Sequence, residues 1–324
     1  MQPATFWPII GFHHATATRS DHRVTNAIQN ALGTRFRRII TDSPDGMPPW
    51  LEQVAEGEDA GLFSPTDAPW VVHGDLATLI GGIRALLVQA LHPGSLAGVS
   101  QHSRYEQDPL GRLAGTTKWL TITTFGSCSA IEAEASRVNR MHARVQGEYT
   151  DNSGQVHAYR AADKDLLLWV HVAFTDSFLA THQMYGSEPI PGGADSYVRL
   201  WAKSVVPLGL DDVPLSSTEL ELLIASLIDN HTLTVTPITK KVIQFIRKPP
   251  LSRTARAVYL LLFHAALVTL SPQMQTLVGI KPWPKWLVVP MTRALLRIMR
   301  LAIGSHSPLE DAALSRLSRI GVTA

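Results

Sequence analysis

Apolar and polar positions recur with a helical rather than a strand period along most of the chain. From residue 75, DLATLIGGIRALLVQAL predicts an apolar helix opened by Asp75 and stopped by the His92-Pro93-Gly94 turn. Gly81-Gly82 within it costs helix propensity and predicts close approach of something bulky. A second helix is predicted from Asp108-Pro109, a capping acid before proline, through GRLAGTTKWLTITTF to Gly126. Ser129 and Glu132 have capping-box spacing and predict a third helix ending at Gly147. Residues 148–160, EYTDNSGQVHAYR, alternate about a Ser-Gly turn and predict the chain's single hairpin. Asp163 caps DLLLWVHVAFTDSFLATHQMY, which Gly186 stops, and a second box, Ser216 with Glu219, precedes ELELLIASLI. Two apolar segments, 257–270 and 285–303, follow. No repeat period and no βαβ spacing is visible, so the fold class is all-α with at most one short hairpin. Residues 1–74, rich in Pro, Gly, Asp and Ser, read as an irregular arm on the core with one or two short helices, one around 23–39. The expected organisation is arm 1–74, helical domain 75–305 and tail 306–324.

Composition narrows the class. The 324 residues are 45% apolar but only 17% charged, against about 25% charged in an average protein, which points to a large core or a greasy ligand cavity. A net charge of +2 with scattered arginines argues against a nucleic-acid partner. The lone cysteine, Cys128, excludes an internal disulfide framework and any all-cysteine metal site within one chain, and fits a reducing compartment. The first residues lack a basic start followed by an apolar run, so no secretion signal is expected and the cytoplasm is the expected location. Residues 257–270 fall short of a membrane span, which needs about 20 apolar residues, and carry His264. Residues 285–303 contain Pro290 and place Arg293, Arg297 and Arg300 at i, i+4 and i+7. That stripe suits a core helix with one wet face, the commoner arrangement, or a helix in peripheral contact with a membrane surface.

Several familiar chemistries have no counterpart in the sequence. It has no G-x-S-x-G, P-loop, G-x-G-x-x-G or H-E-x-x-H, and no Glu with a His three residues on. Cys128, in FGSCSA, lacks the Arg and closing Gly of a haem-thiolate loop and reads as a small buried residue. On the capped helix Ile131, Ala135, Val138, His142 and Val145 share one inward face, with Arg137, Arg140 and Arg144 off it. An imidazole there needs a partner: a haem iron is one, a backbone carbonyl or tyrosine hydroxyl another. His171, inside LLLWVHVAF, reads as a satisfied core group or one that supports a site. Arg112 and Thr116 are i, i+4 neighbours. They present a guanidinium and a hydroxyl suited to a carboxylate-bearing ligand, or else a surface Arg beside a packing Thr. Arg84, on an apolar helix, is a paired buried charge or a snorkelling one.

Four blocks in fixed order add to this reading: R-x-L-L…H-P (Arg84 to Pro93), S-x-Y…D-P-x-x-R-x-x-x-T (Ser103 to Thr116), H-x-x-V-x-G (His142 to Gly147) and Y-x-A…W-V-H (Tyr159 to His171). Together, over about residues 70–300, they resemble the MpaB/latex-clearing (rubber) oxygenase family. The resemblance implies a globin-like helical bundle around haem b. It makes His142 the proximal iron ligand, sets Arg112 and Thr116 near the haem as catalytic candidates, and leaves Arg84 and His171 as further cofactor-binding candidates. It also implies an oxygenase that oxidises an apolar, unsaturated small molecule with dioxygen. One departure matters. Rubber oxygenases carry a lysine just before that threonine, where this chain has Gly115, and Lys118 lies on another helical face. The distal side is therefore expected to be open or water-filled, and polyisoprene cleavage is not implied. The alternative is a non-catalytic helical protein of this fold that binds haem or a lipid-like molecule.

Overall fold

The structure, a computed structural model, describes residues 50–102, 109–151, 153–251, 253–303 and 307–322; at 109–114, 253–254 and 302–303 it describes the main chain alone. The proposed helix around 23–39 lies outside these residues. Fourteen α-helices and one hairpin make up the described part, as the all-α reading expects. In chain order the helices are α1 (Leu51–Ala55), α2 (Ala68–Gly74), α3 (Ala77–Gln89), α4 (Pro93–His102), α5 (Pro109–Phe125) and α6 (Cys128–His142). The hairpin β1 (Gln146–Thr150) and β2 (Val156–Arg160) comes next. After it come α7 (Lys164–Tyr185), α8 (Gly193–Trp201), a 3-10 turn (Ala202–Leu208), α9 (Ser217–Asp229) and α10 (Pro237–Arg247). The chain closes with α11 (Arg253–Val268), α12 (Pro272–Val278), α13 (Lys285–Ile303) and α14 (Pro308–Arg319).

The centre is the antiparallel pair α3 and α7, whose sequences are apolar nearly all round because both are covered on several sides. Gly81 lets them close: a Cβ there would collide with Phe178 and crowd Thr181, while one on Gly82 would meet nothing within 4 Å. The bulky neighbour expected beside the glycine pair is thus Phe178, and only Gly81 faces it. Across the same seam Arg84 Nη1 meets Asp176 Oδ2 at 2.6 Å and donates to Ser177 Oγ at 2.9 Å. A second apolar cluster (Trp50, Trp70, Ile122, Phe125, Ile131, Leu317) packs α1, α2, α5, α6 and α14 together. At its edge the buried Arg316 donates to the carbonyls of Val54 and Phe125.

Helix starts follow the expected caps with small shifts. Asp75 Oδ1 accepts from Ala77 N at 2.7 Å, so α3 begins two residues after its cap. His92-Pro93-Gly94 both ends α3 and opens α4, with Pro93 at the first helical position. Ser216 Oγ accepts from Glu219 N as the second box predicts. The first box is displaced. Ser127, not Ser129, caps α6, and Ser129 Oγ bonds Ser127 Oγ instead. At its other end α6 stops at His142 rather than Gly147, because the main chain of Gln146 to Thr150 pairs with β2, Gln146 opposite Arg160. Val145 O also accepts from Ala161 N, and a backbone spent on a sheet ladder cannot continue a helix.

The arginine stripe of residues 285–303 is not simply a wet face. Arg293 donates twice to Met184 O, and Arg300 donates to Tyr185 O and pairs with Asp75 at 2.7 Å. Both cations sit on carbonyls at the C-terminal end of α7, where the helix dipole favours positive charge. No single helix among the described residues is long and apolar enough to cross a membrane.

Candidate functional site

α5 and α6 form an antiparallel pair joined through Gly126 and Ser127. The buried carboxylate of Glu134 fixes their register. It takes Lys118 Nζ from α5 at 3.2 Å, and Arg137 grips both its oxygens at 2.6 and 2.9 Å. Two turns past Glu134, α6 ends at His142, which the register sets at the level of the first turns of α5. The main chain of Arg112 lies in those turns, and its side chain falls outside the described residues. Thr116 follows one turn later and is half-buried. On that register the main chain of Arg112 lies within about a turn of the level of His142, and Thr116 stands about a turn nearer the middle of α5.

His142 is half-buried, and its Nδ1 is buried with no hydrogen-bond partner among the described residues. Burial first, and the nearby Arg137 second, hold its pKa below the usual 6.5, so the ring is neutral at pH 7 and keeps a lone pair to give. After His142 the chain runs through Val145 into the hairpin, which packs against the end of α4. Gln101 Nε2 donates to Glu148 O at 2.8 Å, Tyr159 Oη donates to Gln101 Oε1 at 2.8 Å, and His102 Nε2 lies 3.0 Å from Gln146 O. Val145, Tyr149, Tyr159, Ala97 and Leu166 make the apolar floor of this corner. Val145, expected on the helix, instead leads from His142 into the strand.

The other two expected residues stand on the central pair. His171 is buried on α7, and burial lowers its pKa to about 4, which keeps it neutral. Arg84 is spent on Asp176 and Ser177, the paired-buried-charge reading, and no hydrogen bond or ion pair joins it to His142. Cys128 is half-buried rather than buried. Desolvation, then its hydrogen bond with Asp59, raises the thiol's pKa, so it stays protonated.

Two functional-looking groups escape a reading by spacing. Glu134 lies three residues after Ile131, on the inward stripe, so its burial had a signal there that passed unused. The other is His73 on α2, buried between Thr124 Oγ1 (2.8 Å to Nδ1) and Tyr197 Oη (2.9 Å to Nε2). Three aromatic rings, Phe178, Tyr197 and Trp201, stand edge-on around it, and burial drops its pKa to about 3. These partners lie 51 and 124 residues away in sequence, beyond any local pattern. Among the described residues, no group of three or more His, Cys, Asp and Glu side chains is placed to hold a metal ion.

The family model described as ER-bound oxygenase mpaB/B'/Rubber oxygenase, catalytic domain, matches residues 70–301, from α2 through most of α13. The chain belongs to this family. It is an oxygenase-family oxidoreductase, and the blocks around Arg84, Thr116, His142 and His171 all fall within the matched span. No curated protein and no solved structure matches the chain.

Proposed function

We propose that this protein holds haem b through His142 and oxidises an apolar, unsaturated small molecule with dioxygen. Membership of an oxygenase family supports the reaction class. The observation that carries the cofactor is the His142 ring: neutral, at a helix end, with a buried nitrogen that no group among the described residues satisfies. Leaving such a nitrogen unpaired costs about 1–3 kcal/mol, a cost that a bound group at this corner offsets. An iron centred here would take its remaining ligands from a porphyrin, since the described side chains offer no cluster of their own. The residues present therefore fit the group.

Bound haem supplies the dioxygen chemistry, and the protein supplies position, charge and dryness. His142 would hold the iron, and the electron donation of its ring would depend on what its second nitrogen meets. Arg112, whose main chain lies in the first turns of α5, would grip a propionate, for which a guanidinium is shaped, or would polarise oxygen. Thr116 would set its hydroxyl oxygen one turn further along α5. His171, neutral and buried, supports the surrounding core without adding charge to it. Gly115 leaves room beside Thr116, where a Cβ would meet no heavy atom within 4 Å.

The test is the absorption spectrum and iron content of purified protein, before and after incubation with hemin, followed by oxygen uptake with a panel of unsaturated apolar compounds. Wild type is expected to show a Soret band and His142→Ala to lose it with helix content unchanged. A mutant that keeps an unmoved Soret peak removes His142 from the iron. Haem retention without oxygen uptake on any compound makes the protein a haem carrier of the same fold.

A further inference from the structure

α13 is committed on one side only. Val288, Thr292, Leu296 and Met299 are buried against α11 and the end of α7. Opposite them Trp286, Pro290, Ala294, Arg297, Ile298 and Leu301 recur at i, i+4, i+8, i+11, i+12 and i+15, which is one face of a helix, and all are exposed. The exposure is large: 76% for Trp286, 65% for Ile298 and 68% for Leu301. Of the thirteen exposed large apolar side chains among the described residues, five (Trp283, Trp286, Met291, Ile298, Leu301) fall in this short stretch, so the patch is not the ordinary scatter of surface leucines.

The charge along the chain around that helix is of one sign. From Asn230 to Leu309 the chain has eleven Lys and Arg residues and no Asp or Glu, whereas the 229 residues before it hold 16 basic and 25 acidic ones. The near-neutral total of +2 conceals this segregation. Lys281, Lys285 and Arg297 are exposed alongside the apolar side chains. The covering partner must therefore be both apolar and anionic. A second copy would set like charge against like, and residues 1–49, with five basic and three acidic residues, make no anionic strap.

We propose that α13 is a membrane-docking helix: Trp286, Pro290, Ile298 and Leu301 enter the headgroup layer of a bilayer while Lys285 and Arg297 bind its anionic lipids. Tryptophan prefers that layer because its ring is apolar and its N–H stays wet, and basic side chains beside it add attraction to anionic headgroups. The docked helix lies in the plane of the surface, since it is held along its buried side and does not span.

Sedimentation of the full chain with phosphatidylcholine vesicles, with and without phosphatidylserine, decides this. Wild type is expected to pellet with the phosphatidylserine vesicles, weakly with phosphatidylcholine alone, and less at high salt. The pair Ile298→Asp and Leu301→Asp, at exposed positions where folding is unaffected by circular dichroism, is expected to stay in the supernatant. Arg297→Gln is expected to weaken partitioning roughly fivefold, one basic side chain's share. Wild type left in the supernatant with anionic vesicles overturns the proposal, as does a double variant that pellets like wild type. Self-association in sedimentation velocity that the double variant abolishes, without vesicle binding by wild type, would assign the face to a second copy instead.

Discussion

Gly115 occupies an exposed position inside α5, immediately before Thr116, with open space where a side chain would begin. Gly115→Lys is therefore sterically free, and exchanging glycine for a good helix former in a helix interior gains about 0.5–1 kcal/mol, readable as a higher urea midpoint of haem-free protein. In the haem-loaded protein the proposed geometry adds a second effect. An amine that reaches the iron competes with added imidazole, whose apparent affinity falls roughly tenfold or more. A stability gain with unchanged imidazole binding sets Gly115 apart from the iron. At this scale the sequence was partly legible. The stripe Ile131, Ala135, Val138 is buried as its spacing predicts, and His142 stands out on it because an imidazole breaks an apolar period. The partners of buried polar groups were not legible: Glu134 meets Lys118 and Arg84 meets Asp176 only through the registers of two helix pairs.

Elements were legible where a backbone signal is local and shifted where pairing across the chain competes with it. Ser216 and Gly186 bound their helices as expected, since a cap acts within one turn, and Asp163 takes the N-cap position though its carboxylate accepts from Arg160 N rather than from the helix. The end of α6 moved from Gly147 to His142 because a strand ladder to β2 took the main chain, and nothing within 143–147 announces that partner. This matters for the site, since His142 becomes a helix terminus just before the hairpin rather than a mid-helix group. The central seam offers a clean test of packing against propensity. Gly81→Ala drives a methyl into Phe178 and Thr181 across α3 and α7, and is expected to destabilise by about 1–3 kcal/mol. Gly82→Ala, one residue away on the same helix with nothing near its Cβ, is expected to stabilise by about 0.5–1 kcal/mol. Urea unfolding of both variants checks the pair. Equal effects of one sign would mean that the α3–α7 approach does not depend on Gly81.

The whole molecule folds around neutral histidines, and that makes its stability a function of pH. Burial lowers the pKa of His73 to about 3 and of His171 to about 4, and it depresses His92, His142 and His264 as well. Unfolded, each titrates near 6.5. Below that value the unfolded chain takes up protons that the folded chain refuses, so stability is full above about pH 6.5 and falls as pH drops toward the folded pKa values. For His73 and His171, both almost fully buried, the loss at about pH 5 is about 2 kcal/mol each. It precedes the loss from Asp59 and Asp75, whose lowered pKa values keep their contribution intact until about pH 4. Protonation also adds charge to the stretch from Asn230 to Leu309, whose ionised residues are all basic and which includes His264. Urea midpoints at about pH 7.5 and about pH 5 measure the fall. His171→Leu isolates one term: it removes a group that must stay neutral in the fold, so its stability is expected to drop about 2 kcal/mol less than wild type's over that interval. The variant loses absolute stability if His171 has a hydrogen-bonded partner, but the slope with pH does not depend on that loss. Parallel curves for variant and wild type would mean that His171 binds protons in the folded state as readily as in the unfolded one, and that its burial does not govern the acid limb.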